Sequence, residues 1–490
     1  MILKSLLKGL DYEVIKGNEE SKVQNIRYDN RKIEQGDAFV CVKGFKVDGH
    51  SFIGDAIKKG AKTLIVQEDV SVQEDVSVQE DITIIKVRDT RKALAIMSSN
   101  YFGNPKDKLK IIGITGTNGK TTSAFIIKSI LEKAGFMTGL IGTIANYIGN
   151  KKVDAVRTTP ESYELHELFK NMVDAGVEYC VMEVSSHSLE LDRVYGVQFE
   201  EGIFTNLTRD HLDFHKTFEN YYNAKFKLFE RSNHSIINLD DPYGANIVKD
   251  IEERGVKTKV STFSIEKESD FKAFEIKSHS NGSEFKVNLE SIEEFSINIP
   301  GEYNIYNSLG CIICAYNLNI PMDKIKEGLS DVVIPGRCEL VAKEKNLPYS
   351  IIIDYAHTPD GLENILSTVK AFTKNRMISV FGCGGDRDKV KRPQMGKIGC
   401  ELSDIAIITS DNPRSEEPMD IINDIVKPLN YDNFVIEVNR KEAIRKAMNM
   451  ALEGDVIVIA GKGHETYQIL KDETIHFDER EVVYDILEGK

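Results

Sequence analysis

The chain has 490 residues, of which 41% are hydrophobic and 29% charged, and a formal net charge of −14. That is room for about three domains of ~150 residues with ordinary packed cores. The acidic balance, without any Lys/Arg-rich run, excludes nucleic acid or an anionic membrane surface as the main partner.

No apolar stretch reaches the ~18 residues of a membrane span. Met1-Ile-Leu-Lys-Ser-Leu-Leu-Lys8 is too short and too interrupted for a signal peptide. Seven cysteines, an odd number in a long chain, fit a reducing cytoplasm. The first hundred residues alternate strand-like runs, at Ala38–Val42, Thr63–Val66 and Ile82–Ile85, with helical stretches. Between them a hexapeptide recurs: Val66-Gln-Glu-Asp-Val-Ser71, Val72-Gln-Glu-Asp-Val-Ser77, then Val78-Gln-Glu-Asp81. So few acidic copies cannot build a solenoid, so a duplicated, solvated loop or strand extension without catalytic role is expected. Tyr101-Phe-Gly-Asn-Pro105 reads as the linker closing a first domain, residues 1–106.

The stretch from Ile111 to Thr122 is the densest in chemistry. Ile111, Ile112 and Ile114 predict a buried strand, and Gly113, Gly116 and Gly119 a glycine-rich turn. Lys120-Thr121-Thr122 then open a helix with Phe125, Ile126, Ile130 and Leu131 on its apolar face. Strand, glycine loop and helix make a phosphate cradle: backbone N–H groups turn toward an anion, and the helix N-terminus adds partial positive charge. Lys120 is placed to reach terminal phosphates and the Thr121 hydroxyl to ligate Mg²⁺. The strict P-loop pattern asks for Gly at position 114, where this chain has Ile.

Strand runs at Tyr179–Glu183, Gly202–Thr205 and Ser235–Asn238 alternate with helices, which predicts a largely parallel sheet covered on both faces. Residues 258–298 are polar and alternating and predict an antiparallel hairpin region, after which Pro300-Gly-Glu-Tyr-Asn304 opens a helix. Cys311-Ile-Ile-Cys314 lies inside an apolar helical pattern, so buried packing is expected there rather than zinc or redox chemistry. A third unit begins near Val333-Ile-Pro-Gly-Arg337, with strand runs at Ser350–Asp354, Met377–Phe381, Ile405–Ile408 and Val456–Ile459. The expected fold class is α/β with three domains. A central P-loop-type, mostly parallel sheet domain spans 107–333, and a Rossmann-like C-terminal domain spans 334–490.

Polar clusters fall at the C-terminal ends of these strands, where open α/β sheets bind ligands. Glu183-Val-Ser-Ser-His187 puts an acid beside the phosphate loop, which suits a Mg²⁺ ligand. Thr205-Asn-Leu-Thr-Arg-Asp-His211 packs Arg, Asp and His after the next strand. Gly382-Cys-Gly-Gly-Asp-Arg387 reads as a second anion nest, and Asp411-Asn-Pro-Arg414 as a turn that fixes an Arg for a carboxylate.

Taken together, Thr115-Gly-Thr-Asn-Gly-Lys-Thr121, Glu183-Val-Ser-Ser-His187, Thr205–His211, Gly301-Glu-Tyr-Asn304, Asp354-Tyr-Ala-His357 and Gly461-Lys-Gly-His-Glu465 resemble the Mur ligases over the whole chain and in the same order. Within that family the pattern is similar to the tripeptide-forming members of peptidoglycan synthesis. The resemblance implies a cytoplasmic, monomeric, ATP- and Mg²⁺-dependent ligase without nucleic-acid or membrane partners. ATP would phosphorylate the D-glutamate side chain of UDP-N-acetylmuramoyl-L-alanyl-D-glutamate, and an amino acid's amine would attack the acyl phosphate. It implies that Lys120, Glu183, His211 and Lys225 are catalytic. Gly116, Thr117, Asn118, Gly119, Lys120, Thr121 and Thr122 would hold phosphates, with Asn304, Arg337, Asp354 and His357 completing the nucleotide contacts. Thr121 and Glu183 would ligate one Mg²⁺, and His211 and a carbamylated Lys225 a second. Lys225 by itself reads as an exposed helix lysine.

The same resemblance assigns the UDP substrate to the first domain and to Thr158, Thr159, Ser185 and Arg193. Asn30, in Asp29-Asn30-Arg31, stands where the family usually has Ser, and Leu191 where it has Gln. Arg387, Asp411, Asn412, Pro413, Arg414, Gly461 and Glu465 match the amino-acid contacts. Asp411-Asn-Pro-Arg414 resembles the meso-diaminopimelate type, with Arg414 for the distal carboxylate and Glu465 for the distal ammonium. L-Lysine, another diamino acid such as lanthionine, a folylpolyglutamate synthetase-like ligase and a non-catalytic nucleotide-binding scaffold are the competing readings.

Overall fold

The computed structural model describes residues 1–44, 47–69, 81–279 and 282–489. Most of the hexapeptide repeat lies outside them. At its start, Val66 ends the strand Thr63–Val66, and the Gln67 side chain accepts hydrogen bonds from Thr90.

Among the described residues the strands form three main sheets in chain order. The first has the strand order Tyr12–Lys16, Thr83–Val87, Thr63–Val66, Ala38–Val40, Ile26–Arg27, with only Tyr12–Lys16 antiparallel. It is joined to the second by the helix Thr90–Tyr101 and the 3₁₀ turn Pro105–Lys108, so the linker expected from Tyr101 begins at a helix end.

At the centre of the second sheet lies Lys110–Thr115, with Tyr179–Glu183 and Phe199–Phe204 parallel on either side. Its unbroken apolar run is the signature of a strand covered on both faces. The helix Lys120–Lys133 covers one face by burying Ile126, Ile127, Ile130 and Leu131 completely or nearly so. Each such side chain contributes ~1.5–3 kcal/mol. Phe125 is only half-buried and meets Tyr147 edge-on at 5.9 Å. Gly113, expected in the glycine turn, lies inside the strand. A Cβ there would meet the Phe199 and Leu228 side chains at 2.7 and 2.9 Å, so this glycine serves packing rather than the anion cradle.

Ser232–Asn238 continues the parallel sheet, and Lys259–Ser264 pairs parallel with it. Only Phe271–His279, Gly282–Asn288 and Ile292–Ile297 form the antiparallel meander expected from residue 258 onward. Alternation reports a half-solvated strand but not its direction, and the crossover helix Gly244–Glu253 makes Lys259–Ser264 parallel. Cys311 and Cys314 are fully buried in the helix Glu302–Asn317, as their apolar setting implied, and all seven cysteines are free.

The third sheet runs Glu339–Val341, Ser350–Asp354, Val456–Ala460, Met377–Phe381, Ile405–Ile408, Phe434–Ile436, with only the first strand antiparallel. Its first and last strands escaped sequence reading because three residues each carry too little periodicity. No helix among the described residues is long and apolar enough to cross a membrane.

Candidate functional site

The loop between Thr115 and Lys120 is built for close approach. Gly116 has φ +156° and a Cβ on it would lie 1.8 Å from Thr205 Oγ1; Gly119 has φ +87° and a Cβ would lie 2.2 Å from Asn307 Oδ1. Either side chain would fill the cradle. Lys120 opens the helix, and its ammonium donates to the carbonyls of Gly116 at 2.8 Å and Thr117 at 2.7 Å. Thr121 Oγ1 donates to Glu183, 3.0 Å from each carboxylate oxygen, because Glu183 ends the neighbouring parallel strand in register with Ile114. Glu183 also accepts from Thr143 N at 2.9 Å.

Lys225, on the helix Phe218–Phe226, is 3% exposed and not the surface lysine its local sequence implies. Its ammonium donates to Gly116 O at 2.7 Å and lies 4.7 Å from the Tyr221 ring centroid. Burial, reinforced by the nearby Lys120 charge, pushes its pKa well below that of an ordinary lysine. His211 has φ +53°, packs 4.8 Å from the His187 ring and approaches Asp210 at 3.3 Å.

From the other side come residues of the third sheet. Arg337 reaches Thr121 Oγ1 at 3.5 Å, lies 4.8 Å from the Tyr355 ring, and has a buried Nε without a hydrogen-bond partner. Asp354 accepts from Cys338 N at 2.7 Å and Ala356 N at 2.8 Å, while burial raises its pKa. Asn304 donates to Pro300 O and accepts from Asn307. These groups line one cavity of about 510 Å³, which brings together Gly116 through Thr122, Glu183, His211, Lys225, Asn304, Arg337, Asp354 and His357.

A second cavity of about 700 Å³ shares Thr158, Ser185, Asp210, His211, Tyr355 and His357 with the first. On the central-domain side it reaches Thr159 and Arg193. Thr159 Oγ1 donates to Glu183 O at 2.8 Å, and Arg193 donates to Glu161 at 3.2 Å and to Thr159 O at 3.1 Å. Across it lie Arg387, Asp411, Asn412, Arg414, Gly461 and Glu465. Arg414 has φ +54°, and its Nη1 donates to Gly385 O at 2.8 Å and Asn412 O at 3.4 Å. Nε and Nη2 make no hydrogen bond among the described residues and remain as a fork. Partial burial, then the neighbouring Arg387 charge, lower the Arg414 pKa.

The donor set fits a nucleotide triphosphate with Mg²⁺. Cradle glycines, an enclosed lysine and an orphaned buried guanidinium nitrogen suit phosphate, while Thr121 and Glu183 supply two hard oxygens. Mg²⁺ commonly takes few protein ligands and completes its shell with phosphate oxygens and water. No trio of His, Cys, Asp or Glu side chains converges on a metal position among the described residues.

Three family models match the chain in order. The Mur ligase family, catalytic domain covers residues 22–102; the Mur ligase middle domain covers 114–315; the Mur ligase, glutamate ligase domain covers 336–463. A UDP-N-acetylmuramoyl-L-alanyl-D-glutamate–2,6-diaminopimelate ligase of Clostridium perfringens is 98% identical over 490 residues, 100% of both chains. The chain belongs to the Mur ligase family. A Clostridium tetani ligase of the same name is 59% identical, over 100% of this chain and 99% of the relative. A solved structure of a ligase of that name aligns over 100% of this chain and 99% of its own, with TM-score 0.70 and 26% identity. MurF of Thermotoga maritima in complex with ADP shares the fold, with TM-score 0.60 and 18% identity over 89% of this chain and 94% of its own.

Against the Mur ligase motifs, two of the expected site residues stand apart. Asn30 lines neither cavity; its amide donates to Asp55 at 2.7 Å, and Asp29 caps the 3₁₀ turn that carries it. Pro413 is buried and lines neither cavity, holding the turn rather than facing a ligand. Sequence reading also missed partners. Asn118 donates to Asp360, joining the phosphate loop to the third domain. Thr143, Asn307 and Lys462 had no distinguishing local signal except that Lys462 sits inside the Gly461–Glu465 motif.

Proposed function

We propose that this Mur ligase is the ATP-dependent enzyme that adds meso-diaminopimelate to UDP-N-acetylmuramoyl-L-alanyl-D-glutamate in peptidoglycan synthesis. The observation that carries the reading is the junction of the two cavities at Thr158, Ser185 and His211. A phosphate end and a carboxylate end of two substrates meet there. The names of the close relatives support the same substrates.

In this reading a D-glutamate carboxylate oxygen attacks the γ-phosphorus and ADP leaves. The amine nitrogen of diaminopimelate then attacks the acyl carbon, loses a proton, and expels phosphate, which keeps the former carboxylate oxygen. Gly116 to Thr122 hold the phosphates, with Lys120 swinging from the Gly116 and Thr117 carbonyls to the transferring group. Arg337 offers its orphan Nε, and Asn304, Asp354 and His357 bound the nucleoside end. Thr121 and Glu183 would hold Mg²⁺, which would supply charge neutralisation at the phosphates. Preorganised cations facing developing charge are the largest rate term in such sites.

We infer that Lys225 works as its carbamate, with His211 beside it as the second metal region. A buried, poorly protonated amine can add CO₂ at nitrogen and release a proton, and the adjacent Lys120 cation offsets the charge gained. Thr158, Thr159, Ser185 and Arg193 take the UDP substrate, with the first domain, including Asn30, at the uridine end. Arg387, Asp411, Asn412, Arg414, Gly461 and Glu465 take the amino acid, and Pro413 shapes their turn. The chain is read as a cytoplasmic monomer, consistent with seven free thiols. Phosphate release that requires ATP, the UDP-dipeptide and diaminopimelate together is the expected result. Release independent of either acceptor would contradict it.

A further inference from the structure

Lys462 lines neither cavity and is fully buried, yet it sits directly behind the second one. Its ammonium donates to Asn412 Oδ1 at 3.0 Å, Glu465 Oε2 at 3.2 Å and Tyr467 O at 2.7 Å, and lies 3.6 Å from Asp411 Oδ1. It thereby ties together two turns that follow different strands, 411–414 and 461–465. The tie is closed by Asn412 Nδ2, which donates to the same Glu465 Oε2 at 3.0 Å. Ile469 N donates to Asn412 Oδ1 at 2.9 Å and Gln468 Nε2 to Asp411 O at 2.6 Å. Glu465 Oε1 makes no hydrogen bond among the described residues, and Glu465 lines the cavity. Asp411 also lines it; its Oδ1 is buried without a hydrogen-bond partner.

We propose that Lys462 is a positioning residue that sets selectivity for the distal ammonium of the amino-acid substrate, by pinning Asn412 and Glu465 Oε2 so that Oε1 faces the second cavity. This rests on the reading that the second cavity takes a diamino acid. The charge pattern fits it. Asp411 and Glu465 share one buried ammonium, and the Arg414 guanidinium acts on both across the cavity. That leaves Glu465 Oε1 as the acceptor for an incoming ammonium and the Arg414 fork as the donor for an incoming carboxylate. Without Lys462, Glu465 and Asp411 lose the ammonium between them, and Glu465 Oε2 keeps only the bond from Asn412 Nδ2. A substrate ammonium then has to order the pocket itself, which weakens binding of the substrate that carries it. Arg at this position keeps the charge but replaces a compact three-way donor with a planar fork.

The test uses the full-length enzyme with saturating ATP and UDP-dipeptide. Lys462→Met, Lys462→Arg and Glu465→Gln are compared on diaminopimelate and on aminopimelate, which keeps both carboxylates and lacks the second amine. A site that bonds a substrate amine discriminates steeply against the analogue lacking it. The unmodified enzyme is therefore expected to prefer diaminopimelate by at least ~10²-fold in kcat/KM. Each Lys462 variant should lose at least ~10-fold of that preference through KM for diaminopimelate, with KM for ATP and the UDP-dipeptide unchanged. A purely structural lysine would instead lower both amino acids alike and leave the ratio in place. A full ratio in a folded Lys462 variant, with the ratio lost in Glu465→Gln, overturns the role of Lys462 and leaves the substrate reading standing. A full ratio in Glu465→Gln removes Glu465 as the reader of the second amine and overturns the proposal, whereas no preference in the unmodified enzyme overturns the substrate reading itself. Loss of cooperative melting in both Lys462 variants would assign the lysine to folding and also overturn the proposal.

Discussion

Arg414→Ala separates the reading of the second cavity from simple loop damage. Arg414 sits at φ +54°, so Ala carries the same backbone strain and the turn is not relaxed by the change. The guanidinium is anchored through Nη1 to Gly385 O and Asn412 O, which aims Nε and Nη2 as one fork. A distal carboxylate of diaminopimelate meeting that fork makes a charge-assisted pair worth roughly 1.5–3 kcal/mol. At about 1.4 kcal/mol per factor of ten, that is ~10- to ~100-fold in kcat/KM. L-Lysine forfeits the pair and leaves a partly buried guanidinium unpaired, so the unmodified enzyme should prefer diaminopimelate by at least ~10²-fold. Arg414→Ala should erase most of that ratio by lowering diaminopimelate turnover, with lysine little changed. The assay is competitive turnover of the two amino acids with ATP and the UDP-dipeptide, read by product mass. Equal use of lysine by the unmodified enzyme, or an unchanged ratio in the variant, would refute the fork as the reader of the distal carboxylate.

Lys120→Ala should keep the melting transition and cut phosphate release by at least ~10²-fold, because a lost transition-state donor costs that much; near-normal release by the folded variant would sink the assignment. Lys225→Ala and Lys225→Arg should both be inactive, and intact-protein mass in bicarbonate should show a carboxylate increment on the unmodified chain alone; a free amine in the turning-over complex would refute the carbamate. Burial lifts the Glu201 carboxyl from an ordinary 4.5 to about 8. Its contribution to stability is therefore fully present below pH 4.5 and is lost as pH rises through about 8. Glu201→Gln should flatten stability across that window and raise the melting temperature at pH 8 by on the order of a few degrees; an identical pH profile in the variant would show that Glu201 does not titrate there.

The chemistry was legible in the sequence where it is local. Gly116 to Thr122 and Glu183 depend on one strand, one turn and a neighbouring strand end, and their residue types name their tasks. Positions whose meaning depends on distant packing were not legible. Gly113 is a glycine because Phe199 and Leu228 press on it, and no local pattern distinguishes that from a loop glycine. Lys225 is buried where the helix Phe218–Phe226 packs against the helix Ser186–Glu190 and turns the ammonium onto Gly116 O of the phosphate loop. Lys259–Ser264 alternates like a hairpin strand, yet the crossover before it makes it parallel. Lys462 reads as one more polar residue between glycines until the two turns it joins are seen together.

Ligation through a phosphorylated carboxylate is tested most directly by the fate of one oxygen atom. The UDP-dipeptide is prepared with heavy oxygen in the D-glutamate side-chain carboxylate and turned over with ATP and diaminopimelate. Acyl phosphate formation followed by amine attack breaks the carbon–oxygen bond and leaves that oxygen on phosphorus. One heavy atom should therefore appear in each inorganic phosphate released, in step with tripeptide product. Tripeptide formed with unlabelled phosphate would contradict the account.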